Sequence, residues 1–210
     1  MKKTVLSLLA AFFVLSAPAQ KVIELPHPDM SAGMTLMEAL KQRHSERSFD
    51  KRDVDLQALS QILWAACGIN RPESGKITAP SAINAQDIVV FVCTKNGAYL
   101  YEPLPHRLVE VSAKDLRKSI AGFQSFAADA PVSLVLASDH KKFGDRQKGA
   151  SRMGLIDSGY VSENISLMCT ALGMSTVPRM TMDTDMLKLE LGLDETYDLI
   201  LNHPVGYPAK

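Results

Sequence analysis

The chain lacks the common signatures of nucleotide, phosphate and acyl chemistry. It has no Gly-x-Gly-x-x-Gly, no Walker loop and no Gly-x-Ser-x-Gly elbow. A Rossmann cradle, a P-loop and an elbow-type hydrolase are therefore not indicated. The five histidines, His27, His44, His106, His140 and His203, are scattered and make no metal-ligand spacing. There are three cysteines, Cys67, Cys93 and Cys169, each with apolar or small neighbours. An odd count outside a small cysteine-rich scaffold argues against a disulfide framework and reads as three buried thiols. A basic excess is also missing, since 23 Lys and Arg stand against 23 Asp and Glu. That removes the electrostatic footprint of a nucleic-acid partner, and no cationic amphipathic stretch suits a membrane surface. No internal repeat is present.

Long apolar runs are confined to the N-terminus. Lys2 and Lys3 precede an apolar stretch from Val5 to Leu15, and Ala17-Pro18-Ala19 is a small-x-small cleavage site. Residues 1–19 read as a secretory signal peptide with Gln20 as the mature start, so export, to a periplasm, is expected. The run is short for a span of about 20 residues, so stable membrane insertion is not expected; an uncleaved anchor or a buried helix is the alternative. Cleavage removes two lysines and leaves the mature chain slightly acidic. The remaining length suits one domain: an extended, proline-punctuated arm over 20–33 and a single domain over 34–210.

Periodicity predicts helices over Thr35–Gln42 and over Asp55–Ala66, with Asp55 as a cap and Gly68 as a stop. Residues 69–87 read as a long loop. Strands follow at Ile88–Thr94, Ala98–Glu102 and Arg107–Val111, with Lys95-Asn96-Gly97 as the first turn. Two short helices, about 114–121 and 123–129, lead to a strand at Val132–Ala137. A long helix is predicted from Gly149 to Leu172, then a short strand at Thr176–Met180, a capped helix at Asp183–Leu191 and a closing strand at Tyr197–Asn202. Strands clustered between helix pairs indicate an α+β fold, not alternating βαβ units.

Two strings carry candidate chemistry. Arg43-His44-Ser45-Glu46-Arg47 places two guanidinium groups, an imidazole and a hydroxyl within five residues. Guanidinium forks suit phosphate and carbonyl oxygens, although basic residues at a helix end also serve as a solvated cap complementing its dipole. Pro80-Ser81-Ala82-Ile83-Asn84-Ala85-Gln86 offers the amides of Asn84 and Gln86 beside small residues that let a flat ligand approach the backbone. One ligand needs both sets: flavin mononucleotide (FMN), with a phosphate at one end and a polar pyrimidine edge at the other.

In order, these strings resemble the nitroreductase superfamily of flavin oxidoreductases. The likeness continues through Asp157-Ser158-Gly159 with Asn164, then Ala171-Leu172-Gly173-Met174-Ser175-Thr176-Val177-Pro178, and Pro204-Val205-Gly206-Tyr207-Pro208. The middle, Ala98–Pro103 and Leu108–Val111, is similar to the branch that includes thiazole/oxazole-type (azoline) dehydrogenases. That branch carries a Lys-Tyr pair near the start of the long helix, where Arg152-Met153 stands here; this favours a generic reductase. The resemblance implies a central mixed or antiparallel sheet flanked by helices. It also implies a domain-swapped-type homodimer with FMN at the interface, and NADH or NADPH as electron donor to a small-molecule substrate.

By the same resemblance, Arg43 and Ser45 meet the phosphate end, with His44 in the same region. Arg47 lies by the pyrimidine N1–C2=O, and Asn84 meets the opposite edge with Gln86 behind it. Ser81 lies in the same cofactor loop. Met180 and Thr181 occupy the loop whose backbone faces flavin N5, where relatives often carry Glu-Gly. Relatives also often continue past Gly-Tyr-Pro with a basic tail; Lys210 is the residue expected in that role. The leading expectation is two-electron ping-pong hydride transfer through N5. The alternatives are an exported, non-catalytic flavin-binding or scavenging protein, and a structural homodimer that has lost FMN.

Overall fold

The computed structural model describes residues 20–209. The expected signal peptide, its cleavage site and Lys210 lie outside these residues. The elements run β1 (Val22–Glu24), α1 (Leu36–Gln42), α2 (Leu56–Cys67), β2 (Ile69–Arg71), β3 (Lys76–Ile77), β4 (Ile88–Thr94), β5 (Gly97–Glu102) and β6 (Arg107–Ser112). They continue with α3 (Arg117–Ala121), β7 (Val132–Asp139), α4 (Ala150–Ala171), β8 (Ser175–Thr176), α5 (Thr184–Leu191) and β9 (Tyr197–Gly206). Seven strands form one sheet in the order β1-β6-β5-β4-β7-β9-β8, and each pairing in it is antiparallel.

Alternation across this sheet builds two cores. Val90, Val92, Leu134 and Leu136 face one side, where Ile62 and Leu63 of α2 and Val161 and Ile165 of α4 cover them. Phe91, Cys93, Val135 and Ala137 face the other, under Ile120 of α3 and Leu187 and Leu191 of α5. A strand buried on both faces needs apolar residues at every position. That is why β4 and β7 read as continuous apolar runs. The three cysteines are free and buried within these layers, and burial pushes the Cys67 and Cys93 thiols up to about 12.

The helix ends follow local chemistry. Asp55 accepts from the Ala58 N–H at 2.8 Å. Thr35 and Glu38 form a reciprocal capping box that supplies two otherwise orphaned N–H groups with partners. Gly173, at φ 66°, turns the chain after α4 in the left-handed region that glycine enters without strain.

Several elements differ from expectation. The arm is part of the sheet: β1 pairs with β6, and the Asp29 backbone exchanges hydrogen bonds with the buried Gln61 amide at 2.6 and 2.7 Å. The stretch 69–87 contains the β2–β3 hairpin and single 3-10 turns at Pro72–Ser74 and Ala82–Asn84. The segment expected as a helix over 123–129 is a 3-10 segment at Ser125–Asp129. The expected strand at Thr176–Met180 reduces to β8 plus a bridge between Arg179 and Asn202. Among the described residues, no helix is long and apolar enough to cross a membrane.

Candidate functional site

The first string leaves α1 and runs along the sheet edge. The Glu46 N–H donates to Thr176 O at 3.0 Å and the Asp50 N–H to Tyr207 O at 2.8 Å, fixing the string against β8 and the C-terminal segment. Glu46 Oε1 accepts from the N–H groups of Arg47 and Ser48 at 2.7 and 3.1 Å, which orders the turn. His44 Nδ1 lies 2.8 Å from Gln42 O, so its ring is directed back at its own chain. Among the described residues, the side chains of Arg43, Ser45 and Arg47 make no hydrogen bond or ion pair. Ser45 and Arg47 are exposed and Arg43 is half-buried. Three unspent donor groups thus sit on a backbone that is itself well fixed.

Beneath the string lies a buried polar chain. His203 is fully buried, with Nε2 2.8 Å from Ser162 Oγ on α4 and Nδ1 3.2 Å from Thr176 Oγ1. Burial drives its pKa down to about 3, so the ring is neutral over the physiological range. Thr176 Oγ1 also donates to Pro204 O at 2.9 Å. The same Thr176 takes the Glu46 N–H through its carbonyl. The anchor of the string is therefore insensitive to ordinary changes of pH.

The second string is strained. Ile83, Asn84 and Gln86 have φ of 52°, 57° and 50°. A β-branched residue in the left-handed region is an outlier, and such strain persists only where surroundings over-determine it. Those surroundings are visible. The Gln86 N–H donates to Ser81 Oγ at 2.8 Å, the Gln86 amide to Gly75 O at 3.1 Å, and the Ala82 N–H to Asp157 Oδ2 of α4 at 2.9 Å. Asp157 in turn meets Asp87, a fully buried carboxylate that accepts from Ser138 Oγ at 2.6 Å. Burial, with the hydrogen bond and charge of Asp87 added, pushes the Asp157 carboxyl up to about 6, against the opposite pull of the Ala82 N–H. The outcome is a rigid loop presenting Asn84 and Ile83 to solvent, with the Gln86 side chain turned inward.

The third segment follows Arg179, which bridges to Asn202 of β9. Met180 is 69% exposed, and the Thr181 carbonyl accepts from Asn202 Nδ2 at 3.0 Å and Arg179 Nη2 at 3.3 Å. A Cβ built on Gly122 would stand 3.1 Å from Thr181 Cγ2, so the loop packs on the end of α3. Within one chain, the first string and the Met180–Thr181 loop share the β8–β9 edge. The second string sits by Asp157, toward the start of α4, whereas Thr170 lines the hollow beside His44 and Glu46 at its end. Thirteen residues of helix separate those two points, roughly 20 Å. One chain does not close all three segments around one small ligand.

Sequence reasoning missed four parts of this arrangement: the Asp87 partner of Asp157, the buried His203 chain, Asn202 and Arg179. Asp157 lay in a quoted motif without a role. An aspartate directly before an apolar strand, as at Asp87-Ile88, is a weak sign of a buried carboxylate, and the others have no local signal.

Comparison with known proteins places this arrangement in a family. The sequence profile of the nitroreductase family matches residues 40–207. A nitroreductase-type protein of Methanocaldococcus jannaschii is 31% identical over 171 residues, covering 74% of this chain and 82% of its own. The crystal structure of a nitroreductase-type protein from Ralstonia eutropha superposes with a TM-score of 0.85 at 35% identity, covering 93% of each chain. A Staphylococcus epidermidis protein named for NAD(P)H:FMN oxidoreductase activity shares the fold alone, with a TM-score of 0.64 at 16% identity over 88% of this chain and 92% of its own. With the profile spanning most of the chain and two relatives above 30% identity, the chain belongs to the nitroreductase family of oxidoreductases.

Proposed function

We propose that the protein is an FMN-dependent oxidoreductase that works as a homodimer. The observation that carries this reading is the set of unspent donors, Arg43, Ser45 and Arg47, on a string tied to the sheet through Glu46 and Asp50. Two guanidinium groups and a hydroxyl suit a phosphate and an electron-rich carbonyl edge. The strained Ser81–Gln86 loop supports it further, since an exposed amide held in a costly conformation is characteristic of a binding position. The roughly 20 Å along α4 between the two strings favours two chains, one string from each completing a site. Exposed Leu36, Met37 and Leu40 on α1 and Leu155, Ile156 and Tyr160 on α4 give such a dimer an apolar face.

In this reading Arg43 and Ser45 hold the phosphate, with His44 lining the same end. Arg47 sits by the pyrimidine N1–C2=O, where a cation favours added negative charge. Asn84 binds the other pyrimidine edge, Gln86 braces the loop through Gly75, and Ser81 fixes the turn. The Met180–Thr181 loop would offer its backbone to the flavin ring; Thr181 is more restricted than glycine in what it presents there. When bound, FMN supplies two-electron transfer in ping-pong fashion from a nicotinamide, NADH or NADPH, to a small organic acceptor. Lys210 is the proposed basic tail. The β5–β6 pair carries the likeness to azoline dehydrogenases, but Arg152-Met153 favours a general reductase. Export to a periplasm completes the proposal, and cell fractionation checks it.

The test is titration of apoprotein with FMN, followed by flavin fluorescence. Charge-assisted hydrogen bonds contribute about 1.5–3 kcal/mol, so Arg43→Ala is expected to weaken binding roughly ten- to a hundred-fold. Wild type that does not quench FMN refutes the cofactor, and an unchanged Arg43→Ala affinity removes Arg43 from the site. A yellow protein bleached by dithionite but not by NADH or NADPH would favour the non-catalytic flavin-binding alternative, which the replacement of Glu-Gly by Met180-Thr181 motivates. Light scattering of the FMN-loaded protein as a monomer sinks the dimer.

A further inference from the structure

Arg179 is buried to 6% exposure, and among the described residues no carboxylate lies within ion-pair distance of it. Its fork is filled by neutral acceptors. Nε donates to Gln124 Oε1 at 2.8 Å, and Nη1 to Asn202 Oδ1 at 2.7 Å and Ile120 O at 3.4 Å. Nη2 donates to Ala121 O at 2.7 Å and Thr181 O at 3.3 Å, and the Phe126 ring centre is 5.6 Å away. A buried charge costs several kcal/mol and is ordinarily paired with an opposite one. Desolvation pulls the Arg179 pKa down, yet a guanidinium stays protonated in proteins. Carbonyl and amide dipoles solvate the cation without cancelling it. Its net positive field therefore persists, and Nη2 reaches the Met180–Thr181 loop directly through the Thr181 carbonyl.

We propose that Arg179 is an electrostatic positioning residue whose charge, acting through the Met180–Thr181 loop, favours the reduced state of a flavin seated over that loop. The proposal rests on the FMN reading above. Two electrons and one proton, delivered together as hydride from a nicotinamide that leaves oxidised, make the bound ring one unit more negative. A fixed cation in a low-dielectric setting favours that product over the neutral oxidised ring.

The experiment separates charge from architecture. Holoprotein is titrated spectroelectrochemically in wild type, Arg179→Gln, Arg179→Lys and Gln124→Glu. The last variant puts a carboxylate where a neutral oxygen now meets Arg179 Nε at 2.8 Å, pairing the cation without removing it. Arg179→Gln and Gln124→Glu are both expected to lose about tenfold of the preference for reduced over oxidised FMN, a fall of about 30 mV in a two-electron couple. Arg179→Lys keeps its charge and is expected to hold the wild-type potential while losing thermal stability alongside Arg179→Gln. If Arg179→Gln does not fold, Gln124→Glu carries the test alone. Potentials that stay unchanged in Gln124→Glu, or that fall equally in Arg179→Lys and Arg179→Gln, overturn the proposal. A wild type that binds no FMN overturns the cofactor reading before any variant is made.

Discussion

Replacing Asp157 by asparagine isolates the carboxyl pair beneath the Ser81–Gln86 loop. In the fold, Asp157 is 2% exposed and its carboxyl meets that of Asp87, whose Oδ1 has no hydrogen-bond partner among the described residues. Burial and the Asp87 carboxyl hold Asp157 at about 6, against 3.8 for an ordinary aspartate. Between those two values the folded protein keeps a proton that the unfolded chain has released. Stability from this group is therefore intact below about pH 4, falls as pH rises towards 6 and is flat above it. Moving a carboxyl that far corresponds to roughly 3 kcal/mol, the upper figure for the penalty carried near neutrality. Asparagine preserves an oxygen for the Ala82 N–H and puts a neutral donor, in place of a titratable carboxyl, beside Asp87. Apoprotein carrying Asp157→Asn is expected to melt above wild type near pH 8 by up to roughly 6–12 °C, at 2–4 °C per kcal/mol for a chain of this size. The difference should close by about pH 4. Differential scanning calorimetry across that range is the assay. A variant destabilised equally at both ends refutes the reasoning, since Asp157 would then act only as a loop anchor.

Three further outcomes follow from single residues. Ile83 holds φ 52° while its side chain is 52% exposed; a left-handed conformation costs an ordinary residue about 1–2 kcal/mol. Ile83→Asn, which tolerates that region, should therefore raise the apoprotein melting temperature, and a lower one would show that the Ile83 side chain is held by packing. A Cβ on Gly154 would stand 2.6 Å from Ser138 Cβ; Gly154→Ala should cost about 1–3 kcal/mol by overpacking, read as a lower urea midpoint, and a neutral result means α4 can slide off β7. Arg47→Ala should lower the flavin midpoint potential by a few tens of millivolts, where about 30 mV corresponds to 1.4 kcal/mol, while FMN affinity, set at Arg43, changes little; a potential that holds or rises removes Arg47 from the pyrimidine edge.

Much of the layering was legible in the chain because it depends on short-range pattern. Strands β4 and β7 are apolar on both faces, so their runs identify buried strands before any fold is known. Asp55, Gly68 and Gly173 punctuate helices through their own side chains or the lack of one. The 3-10 turns within 69–87 and the two-residue β3 were missed, and β8 was expected longer, at Thr176–Met180, for the opposite reason. Elements that short have no periodicity to detect, and their existence depends on partners elsewhere, such as β9 for β8. The arm was read as extended, but its role as the sheet-edge strand follows only from pairing with β6, more than eighty residues on.

The candidate site divides along the same line. Residue type and spacing alone were enough to mark Arg43, Ser45, Arg47 and Asn84, because a fork of donors and an amide state their chemistry wherever they stand. Their readiness was decided by the tertiary structure. Glu46 turns its carboxylate onto its own backbone and leaves the arginines unspent, and Asp157 reaches 75 positions back to pin the strained loop. Nothing near Arg179 in the chain announces a buried, unpaired cation. Its acceptors come from α3, from the segment after it, from β9 and from the following loop. A charge's worth is set by what surrounds it in space, and that environment exists only once β9, the end of α3 and the segment after it have closed over it.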